Sequence, residues 1–595
     1  MKRIFDLLEL YKGRYSYKEE AFSIKRNKQW INYSADDYIK YSNILSQAFL
    51  SLGITKGKHV ATVLDNCPEW NFIDMGLQQI GAIQVPVYPT ISIEHFRHIF
   101  KDAEINVAVI GTMEIYSYIR DILEEQNIQA FCLEEVDGVK HFDDLLDIGK
   151  NNPQEEEIKA ISKEQTEEDV ATLIYTSGTT GLPKGVMLTH KNLVSQFLAV
   201  SPISGLSEQH RALSFLPLCH VYERMLNYMY QNLGLSVYYA ESLDKVGENI
   251  RETKPHIFCA VPRVIEKTYD KIIAKGRNQK PIPKNIFFWA VNLGKRYDPH
   301  HRGNIFYRIQ LYLANRIIFN KWRKALGNEL DIIVSGSATL QESISRVFWA
   351  AGIKVLEGYG LTETSPVIAV SKPNVKDVKI GTVGPALPGV EIKIADDGEI
   401  LARGPNVMKG YYKHPEWTKK IIDQKGWIKT GDIGKIEDGR FLRITDRKKE
   451  MIKTSGGKYI APQIIETRLK GSPFIEQAVV VGDGWHYAAT LIVPNFQHLE
   501  SWCNVKGLNY PGAEKAIQSD RIIKRIRKEV EKINAQLGKT EQVKRFTLLE
   551  KPFSVENQTL SPTLKPRRNQ IASTYKETIH QLYEGKTGID VTSKE

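Results

Sequence analysis

The chain has 595 residues, of which 42% are hydrophobic and 25% charged, a composition typical of a soluble globular protein with a large core. No apolar run approaches the roughly 20 residues that a membrane helix needs, and the first residues lack the apolar core of a signal peptide, so we expect a cytoplasmic protein. The cysteines are too widely spaced for a zinc site, and we expect buried free thiols: Cys67, Cys132, Cys219, Cys259 and Cys503.

Short apolar segments alternate with helical patterns through the first three quarters of the chain. The run "HVATVLD" at 59–65 predicts a strand, and the helical "PEWNFIDMGLQQIG" follows it. Continuous apolar strands separated by helices indicate parallel sheets that are covered on both faces. Ligands of such folds bind at the carboxyl ends of the strands. Further strands are predicted at 82–89, 105–111, 169–176, 256–262, 331–338 and 353–360.

Residues 271–330 form a basic and aromatic insert, with 13 Lys/Arg, two acids and nine aromatic residues. Such a composition is typical of contact with an anionic membrane surface, acidic ligands or nucleic acid. No nucleic-acid fold signature accompanies the insert, so we expect no nucleic-acid partner. One helical face carries Phe306, Ile309, Leu313 and Ile317, and off it lie Leu311, Ile318 and Phe319. A helix that is apolar nearly all round favours packing inside the protein, and membrane-surface contact is the alternative.

Beyond about Gly381 the pattern changes to β-hairpins. Alternating strands flank Asp397-Gly398 and again Asp438-Gly439, and Asp-Gly is a strong hairpin signal. A charged stretch begins at Asp446, and the remainder indicates a compact α+β unit. The sequence therefore predicts an α/β protein: a large N-terminal domain with parallel-type sheets covered by helices, a β-hairpin-rich subdomain, and a small C-terminal domain.

The loop "TSGTTGLPKG" at 176–185 has the composition of a phosphate-binding loop. Glycines let backbone N–H groups approach an anion, hydroxyls donate hydrogen bonds, and Lys184 adds charge. The loop is not the phosphate loop of nucleotide hydrolases, which needs G-x-x-x-x-G-K-[ST] opening a helix. Here Gly185 follows the lysine, and the next segment, "GVMLTH", is β-like. Taken alone, the segment is equally compatible with a structural loop.

Five motifs in one order resemble those of the adenylate-forming superfamily of acyl-CoA synthetases, luciferases and peptide-synthetase adenylation domains. They are "TSGTTGLPKG" at 176–185, "EGYGLTET" at 357–364, "TGD" at 430–432, "DRKKEMIKTSGGKYIAP" at 446–462 and "TLSPTLKPRR" at 559–568. The resemblance spans essentially the whole chain. "LPLCHVYERM" at 216–225 and the end of the basic insert are similar to long-chain fatty-acid–CoA ligases. "PTLKPRR" departs from the Ser-Gly-Lys of many relatives and is also similar to those ligases.

The resemblance implies ATP-dependent activation of a medium-to-long-chain fatty acid to acyl-AMP, followed by transfer to CoA, with Mg²⁺ as the metal. Two alternatives stay open: a ligase for another carboxylic acid or for a carrier protein, and a non-catalytic acyl- or membrane-binding scaffold. A pure scaffold would not need Lys184, Glu363, Asp432 and Lys565 together. The resemblance also implies a large domain at 1–445, a hinge at 446–449 with Lys449 as its pivot, and a small mobile domain at 450–595.

The roles of individual residues follow from the same resemblance. The β- and γ-phosphates are assigned to Thr176, Ser177, Gly178, Thr179, Thr180, Gly181 and Lys184. Glu363 is expected to bind Mg²⁺, and Thr362 to donate to the α-phosphate. Tyr359 is expected to stack on adenine. Backbone groups that line the adenine pocket are expected at Gly336, Ser337, Ala338, Glu357, Gly358 and Gly360.

The remaining roles concern ribose, the acyl group and CoA. Asp432 is expected to accept the ribose hydroxyls, Arg447 to contact ribose or phosphate, and Lys565 to bridge the acyl carboxylate and the α-phosphate. His220 matches a position at the acyl entrance; taken singly it is equally a core histidine, and Asp432 a turn-capping residue. CoA-side residues are expected at Lys453, Ser455, Gly456 and Gly457. The acyl pocket is expected near 222–225 and 364–367, and membrane contact would place the protein peripherally at the inner face of a membrane.

Overall fold

The computed structural model describes residues 1–177, 182–300, 303–448, 450–455, 458–539, 541–561 and 565–591. The described residues in the first third of the chain form the strands β1 Phe22–Arg26, β2 Gln29–Tyr33, β3 His59–Val63, β4 Ile83–Pro86, β5 Val107–Ile110, β6 Gln129–Cys132, β7 Lys140–His141, β8 Val170–Ser177 and β9 Pro183–Thr189. The helices between them are α1 Leu7–Lys12, α2 Ala35–Ser51, α3 Pro68–Gln79, α4 Ile93–Asp102, α5 Met113–Glu125, α6 Phe142–Asn151 and α7 Glu155–Glu164.

The middle of the chain continues the alternation and then turns to hairpins. Its helices are α8 His190–Ser204, α9 Val221–Leu233, α10 Val246–Thr253, α11 Pro262–Arg277, α12 Pro281–Gly294, α13 Ile305–Ala314, α14 Asn320–Ala325, α15 Glu342–Ala350 and α16 Pro415–Ile421. Its strands are β10 Arg211–Ser214, β11 Ser236–Tyr239, β12 Ile257–Ala260, β13 Ile332–Ser335, β14 Lys354–Gly360, β15 Val367–Val370, β16 Glu391–Ile394, β17 Glu399–Arg403, β18 Gly410–Tyr411, β19 Ile428–Glu437 and β20 Phe441–Arg447.

The C-terminal part adds a smaller α+β unit. Its strands are β21 Ile452–Lys453, β22 Tyr459–Ile460, β23 Ile475–Val481, β24 Ala488–Pro494, β25 Val543–Leu548 and β26 Ile589–Asp590. Its helices are α17 Pro462–Lys470, α18 Phe496–Val505, α19 Ala513–Ala516, α20 Asp520–Asn534, α21 Arg568–Thr574 and α22 Lys576–Tyr583.

Two eight-stranded sheets form the large domain, in the orders β18-β9-β8-β4-β3-β5-β6-β7 and β15-β14-β13-β12-β10-β11-β1-β2. Their central strands are parallel, and antiparallel pairs occur towards the ends, as at β8–β9 and β14–β15. All five residues of β3 are buried, as expected for a parallel strand covered on both faces. The predicted α/β class and each strand predicted at 59–360 are confirmed.

The hairpin-rich subdomain is a four-stranded antiparallel sheet, β16-β17-β19-β20. Its two hairpins turn at Gly398 and Gly439, whose φ angles of 83° and 70° suit glycine. Both predicted Asp-Gly turns are therefore confirmed. The small domain has its own sheet, β23-β24-β25-β26, and its own buried cluster between Ile452 and Leu548, separate from the main core of the large domain.

A buried ion pair ties α3 to α9 in the main core. Arg224 Nη2 lies 2.7 Å from Asp74 Oδ1, and both side chains are fully buried. Tyr228 donates to the second oxygen of Asp74 at 2.6 Å, and Arg224 Nη1 donates to Thr172 on β8 at 2.6 Å. Buried charges are stable only when paired and hydrogen-bonded in this way. The network fixes α9, which forms a wall of the cleft described below.

The basic insert differs from its expected packing. Ala314 is the buried residue of α13, while Phe306 is 71% exposed. Leu311, which lies off the expected face, packs against the core instead. The prediction that this helix packs inside the protein is therefore wrong for α13, although the π-helical turn Asn315–Phe319 that follows buries Ile318 and Phe319. Within the described part of the chain, none of the helices is both long and apolar enough to cross a membrane.

Candidate active site

A cleft of about 1960 Å³ lies where the large and small domains meet, at the carboxyl ends of the parallel strands. It brings together most of the residues that the sequence motifs predict. These lining residues are Thr176, His220, Gly336, Ser337, Ala338, Gly358, Tyr359, Gly360, Thr362, Glu363, Asp432, Arg447 and Lys565. They come from seven separate stretches of sequence, so the fold assembles one site from distant motifs.

Other predicted residues lie beside the cleft or outside the described residues. Lys184 lies in β9, opposite Thr176 of β8. Glu357 is buried in β14, and burial raises the pKa of its carboxyl to about 8. Ser177 ends β8. Outside the described residues fall Gly178, Thr179, Thr180, Gly181, Lys449, Gly456 and Gly457.

The turn after β13 forms the wall on the predicted adenine side. A Cβ at Gly336 would lie 2.9 Å from the Tyr222 ring, so a larger residue would displace that ring. Ser337 follows with a φ of 71°, a conformation that non-glycine residues adopt only rarely. A larger residue at Gly336 is therefore disfavoured for steric reasons, because the turn passes directly over the Tyr222 ring of α9.

Asp432 lies at the centre of a cluster of polar side chains that line the cleft. The Tyr359 hydroxyl donates to Asp432 Oδ2 at 2.7 Å, and Arg447 Nε lies 3.4 Å from Oδ1. Asp432 faces Arg447 because the two are paired in the β19–β20 hairpin. Burial raises the pKa of the Asp432 carboxyl, and the Arg447 charge opposes that rise. Each carboxylate oxygen keeps a further lone pair with which it can accept a hydroxyl.

Glu363 stands on a short 3₁₀ turn, Thr362–Thr364, directly after β14. Its Oε1 accepts a hydrogen bond from the Tyr411 hydroxyl at 2.8 Å. Mg²⁺ in nucleotide sites is usually held by one or two carboxylates together with substrate phosphates. One carboxylate at the rim of the cleft fits that pattern. No cluster of three or more potential metal ligands occurs among the residues that the structure describes. The described protein groups alone therefore do not complete the coordination of a metal ion.

Lys184 faces the aromatic residues behind Glu363. Its ammonium lies 4.3 Å from the centre of the Trp417 ring and 5.6 Å from that of Tyr411. Cation–π contacts of this kind hold an ammonium group without neutralising its charge. Because the Tyr411 hydroxyl also donates to Glu363, the Lys184 ammonium lies on the same side of the site as that carboxylate.

Lys565 enters the cleft from the small domain. Its pKa is lowered to about 8, first by burial and then by the positive charge of Arg447, while Asp432 and Glu450 oppose the shift. Its backbone carbonyl accepts a hydrogen bond from Ser561 N at 2.8 Å, and its backbone N–H donates to Ser561 Oγ at 3.1 Å. In this domain orientation, the lysine predicted for catalysis faces the residues predicted for ribose and phosphate.

Two acidic residues hold the segment that carries Lys565. Arg568 forms paired hydrogen bonds with Glu466 of α17, at 2.7 and 2.9 Å, and donates to Glu450 at 2.8 Å. Such bidentate pairs fix geometry as well as charge. Arg568 is the last residue of "TLSPTLKPRR", so that motif contains both the predicted catalytic lysine and its anchor.

His220 marks the boundary between the polar and apolar parts of the cleft. It precedes α9, and its Nδ1 accepts a hydrogen bond from the Tyr222 backbone N–H at 3.1 Å. Burial, and secondarily the charge of Lys565, lower the pKa of His220 to about 4. The imidazole is therefore neutral at physiological pH, and with Nδ1 as acceptor its proton is placed on Nε2. His220 can donate one hydrogen bond from Nε2.

An apolar extension of the cleft continues beyond His220. One face of α9 lines it at the helical spacing i, i+3, i+4 and i+7, which covers about 10 Å of wall. The rest of the apolar lining comes from α8, from β13 and β15, and from the residue that follows β12. The apolar lining includes Val200, Ile203, Tyr222, Met225, Leu226, Met229, Val261, Ile332, Val334 and Val367.

The hairpin β21–β22 reaches the cleft through Ile452, but its predicted CoA-side residues do not. Lys453 and Ser455 are exposed, neither lines the cleft, and Ser455 makes a 2.7 Å hydrogen bond with His486. The structure therefore does not bring the predicted CoA-side residues to the predicted ATP-side residues.

Polar contacts connect the two domains. Gln341 donates to the Lys470 carbonyl at 3.0 Å, and Arg263 forms a 2.5 Å ion pair with Glu476. A third contact, at 3.3 Å, joins Gln463 to Thr339. Polar inter-domain surfaces of this kind separate more readily than apolar ones.

Four residues that contact the predicted site residues or their segments were not identified by the sequence analysis. They are Tyr411, Trp417, Glu450 and Arg568. Glu450 and Arg568 lie inside the motifs "DRKKEMIKTSGGKYIAP" and "TLSPTLKPRR". Their place in these motifs could have identified them as site residues. Tyr411 and Trp417 lie between motifs and are identified by the structure.

Comparisons with known proteins agree with this arrangement. The profile of the AMP-binding enzyme family matches residues 14–412, and that of the AMP-binding enzyme C-terminal domain matches residues 449–587. The long-chain-fatty-acid–CoA ligase FadD15 of Mycobacterium bovis is 33% identical over 569 residues, which cover 93% of this chain and 92% of that protein. Fatty acyl-CoA synthetase A of Dictyostelium discoideum is 30% identical, with 93% and 86% covered.

A solved structure shares the fold. The anthranilate CoA ligase AuaEII, crystallised with anthranoyl-AMP, superimposes with a TM-score of 0.72 at 19% identity, covering 97% of this chain and 98% of that one. The chain belongs to the family of AMP-binding enzymes, the adenylate-forming superfamily whose motifs its sequence resembles.

Proposed function

We propose that this enzyme activates a medium-to-long-chain fatty acid with ATP and transfers the acyl group to CoA. The observation that carries the proposal is the single cleft in which Lys565, Asp432 and Arg447 stand at one end and an apolar extension begins beyond His220. A fatty acid has this same division into a charged head and an apolar tail. The relatives named as fatty-acid–CoA ligases cover nearly the whole chain, which supports the same substrate class.

The first half-reaction joins the carboxylate to AMP. A carboxylate oxygen forms a bond to the α-phosphorus of ATP, the bond from that phosphorus to the bridging oxygen breaks, and pyrophosphate leaves with the electron pair. Negative charge is concentrated at the α-phosphate, so preorganised cations supply much of the catalysis. Lys565 is proposed to bridge the carboxylate and the α-phosphate, and Thr362 to donate to the α-phosphate from the opposite wall.

The nucleotide is proposed to lie along the polar wall. Asp432 would accept the ribose hydroxyls, Arg447 would contact ribose or phosphate, and Tyr359 would stack on adenine beside Gly336. Thr176 and Lys184 belong to the loop proposed to hold the β- and γ-phosphates. Glu363 would hold Mg²⁺ together with those phosphates, and the ion would neutralise charge on the leaving pyrophosphate.

Fatty-acid selection is proposed to depend on the apolar extension. His220 Nε2 would donate to the carboxylate and orient it towards Lys565, while the acyl chain would lie against Met225 and Met229. Each methylene contributes only about 1–3 kcal/mol to discrimination. A preference for a range of medium and long chains is therefore expected rather than for one acid.

The second half-reaction transfers the acyl group to CoA. The CoA thiolate forms a bond to the acyl carbon, the bond from that carbon to the AMP oxygen breaks, and AMP leaves. Lys453 and Ser455 are proposed to reach the site when the small domain, 450–595, rotates about a hinge at 446–449. The polar contacts between the domains, such as Arg263 with Glu476, support such a rotation.

We further propose a cytoplasmic location with peripheral contact at the inner face of a membrane. ATP and CoA are the co-substrates of the proposed reaction. All five cysteines are buried free thiols, as is typical of proteins in reducing compartments. The basic insert at 271–330 is the proposed membrane-facing segment.

The proposed activity is tested by incubating the protein with ATP, Mg²⁺ and palmitate, with and without CoA. Pyrophosphate release and palmitoyl-AMP without CoA, and palmitoyl-CoA with CoA, are the expected products. Palmitoyl-AMP that CoA does not consume would instead favour a ligase that loads a carrier protein. Activity with an aromatic acid but not with palmitate would favour an aryl-acid ligase, and no pyrophosphate with any acid would favour a non-catalytic scaffold.

A further inference from the structure

The outer surface of α12 and α13 exposes a concentration of large apolar side chains. Of the 20 large apolar residues that are strongly exposed in the described chain, eight lie between Ile282 and Ile317. Monomeric soluble proteins rarely expose contiguous apolar patches of this kind without a binding role. These eight residues, here called the α12–α13 face, are Ile282, Ile286, Ile305, Phe306, Ile309, Tyr312, Leu313 and Ile317.

The α13 part of this face is one side of a helix. Ile305, Ile309 and Leu313 recur at intervals of four residues and lie in one row along α13, and Ile317 continues the interval in the π-helical turn that follows. They are 59%, 52%, 42% and 44% exposed. An ordinary surface helix turns its apolar side inward, and α13 turns this row outward.

The inner side of α13 is already occupied by contacts with the large domain. Tyr307 and Leu311 pack against the main core, and Ala314 is fully buried. Tyr307 also donates a hydrogen bond to the Leu293 carbonyl of α12 at 3.3 Å. The outward row is therefore not a consequence of a loosely attached helix that could simply turn over.

Cations surround the apolar residues. Lys280 and Lys284 belong to the start of α12, and Arg308 and Arg316 to the α13 region. Among the described residues, no carboxylate lies within ion-pair distance of these four side chains. The whole insert carries 13 basic residues and two acidic ones. An apolar strip bordered by unneutralised cations has the chemistry of an interfacial helix on an anionic bilayer.

We propose that the α12–α13 face is a docking surface for an anionic lipid bilayer, in which its apolar residues enter the interface and its cations contact lipid head groups. A second copy of the chain fits the face less well. A two-fold symmetric contact would bring the same patch from both copies together, and the four cations would then face their own counterparts. An anionic bilayer satisfies the apolar and the charged residues at once.

The surface is joined to the cleft by a single helix. Pro262, Arg263 and Glu266 at the start of α11 line the cleft. Near the end of the same helix, Gly276 leaves room for the ring of Phe287 of α12, which a Cβ would displace. The 16 residues of α11 span about 24 Å at the rise of an α-helix. Docking would therefore hold the cleft near a bilayer in which fatty acids dissolve.

Vesicle flotation tests the proposal, using the full-length protein with vesicles of pure phosphatidylcholine and vesicles that also contain phosphatidylglycerol. An apolar variant carries Phe306→Ser, Ile309→Ser and Leu313→Ser. A cation variant carries Lys280→Gln, Lys284→Gln, Arg308→Gln and Arg316→Gln. Matched controls change equally exposed residues elsewhere: Met113→Ser, Leu243→Ser and Val505→Ser for the first variant, and Lys28→Gln, Lys163→Gln, Lys425→Gln and Lys539→Gln for the second.

Wild type and both controls are expected to float with the anionic vesicles and to bind the neutral ones at least about tenfold more weakly. Either face variant is expected to lose at least about tenfold in partitioning to anionic vesicles. Circular dichroism and the melting temperature check that each variant folds like wild type. Because the positions are exposed, no loss of stability is expected.

Three results would overturn the proposal. Wild type could fail to float with anionic vesicles, or the face variants could float as well as their controls. Alternatively, sedimentation could show a wild-type dimer that the apolar variant dissociates while none of the proteins binds vesicles, which would assign the face to a second copy. Flotation does not measure turnover, so each of these results leaves the proposed ligase activity to be judged separately by pyrophosphate release.

Discussion

The hydroxyl of Tyr359 donates a 2.7 Å hydrogen bond to the carboxylate of Asp432. The two residues come from different motifs, on β14 and β19, and from different sheets. Burial raises the pKa of the Asp432 carboxyl, and the phenol supplies a hydrogen bond that partly replaces the lost water. Tyr359 therefore orients the carboxylate in addition to any contact that its ring makes with adenine.

This relationship predicts the effect of Tyr359→Phe, which keeps the ring and removes the donor. A hydrogen bond to a charged group contributes about 1.5–3 kcal/mol, so we expect the KM for ATP to rise about tenfold or more with kcat changed much less. Steady-state kinetics of pyrophosphate release measure both constants. Tyr17→Phe, at a position that is 64% exposed, is the control and is expected to match wild type. A fall in kcat at constant KM would contradict the positioning role.

Lys565→Ala is expected to separate the two half-reactions. Loss of a preorganised charge at the α-phosphate should reduce the adenylation rate by about 10²–10³-fold, measured as palmitate-dependent exchange between ATP and pyrophosphate. Thioester formation from supplied palmitoyl-AMP and CoA should be largely retained, because the proposed rotation of the small domain would carry the lysine away. The exposed Lys551, changed to Ala, serves as the control. Equal loss of both half-reactions would contradict the assignment.

The pH dependence of adenylation follows from the same lysine. Burial and Arg447 lower the pKa of Lys565 to about 8, and the protonated form is the one that can bridge two anions. The value of kcat/KM reports ionisations of the free enzyme, so for ATP it should fall as the pH rises through about 8. The Lys565→Arg variant keeps its positive charge to higher pH. The fall in its kcat/KM should therefore begin at a higher pH than in wild type, whatever the absolute rate of the variant. A fall at the same pH as in wild type would assign the ionisation to another group.

Trp417→Leu tests the contact that holds Lys184. A cation–π contact contributes about 0.5–2 kcal/mol, so we expect the KM for ATP and the inhibition constant for pyrophosphate to rise about three- to thirtyfold. The chain provides a matched control in Trp427, which lies 4.7 Å from the Arg403 guanidinium outside the cleft. Trp427→Leu should leave both constants unchanged. If Trp417→Leu also leaves both constants unchanged, the contribution of Lys184 to binding does not depend on the Trp417 ring.

The buried pair of Arg224 and Asp74 predicts a large effect on stability. Asp74→Asn or Arg224→Met leaves one buried charge without its partner, and such changes cost about 3–5 kcal/mol. The double variant, Asp74→Leu with Arg224→Met, should lose less than the two single losses combined, because no isolated charge remains. Melting temperatures compare the variants. Glu391→Gln breaks the exposed pair with Arg403 and should cost at most about 1 kcal/mol.

Elements whose signals are local in the sequence were predictable. The strand at 59–63, its helix at 68–79 and the hairpins at Gly398 and Gly439 depend on short apolar runs and turn residues, which act within a few positions. The α13 helix was also visible as a periodic pattern, but its orientation was not. Whether an apolar face is covered depends on which other element reaches it, and no local pattern contains that information.

The candidate site shows the same division. Most of the predicted residues that line the cleft belong to quoted motifs, and a motif is a local signal in the sequence. The partners that hold them were not predictable from the motifs. Glu466 anchors Arg568 from 102 positions away, and Trp417 reaches Lys184 through the pairing of β18 with β9. Such contacts arise from tertiary folding, and a single sequence carries no signal for them.

Lys565 and Arg447 are both cations, and in this orientation of the small domain they lie close enough for Arg447 to lower the pKa of the lysine. Without bound anions, this repulsion opposes the closed orientation. ATP and a carboxylate would shift the balance towards the closed orientation, because they add negative charge to that of Asp432 and Glu450. When pyrophosphate departs, part of that compensation departs with it. Under the proposed mechanism, the charges of the reactants would therefore favour the closed orientation, and their loss would favour the opening that the second half-reaction needs.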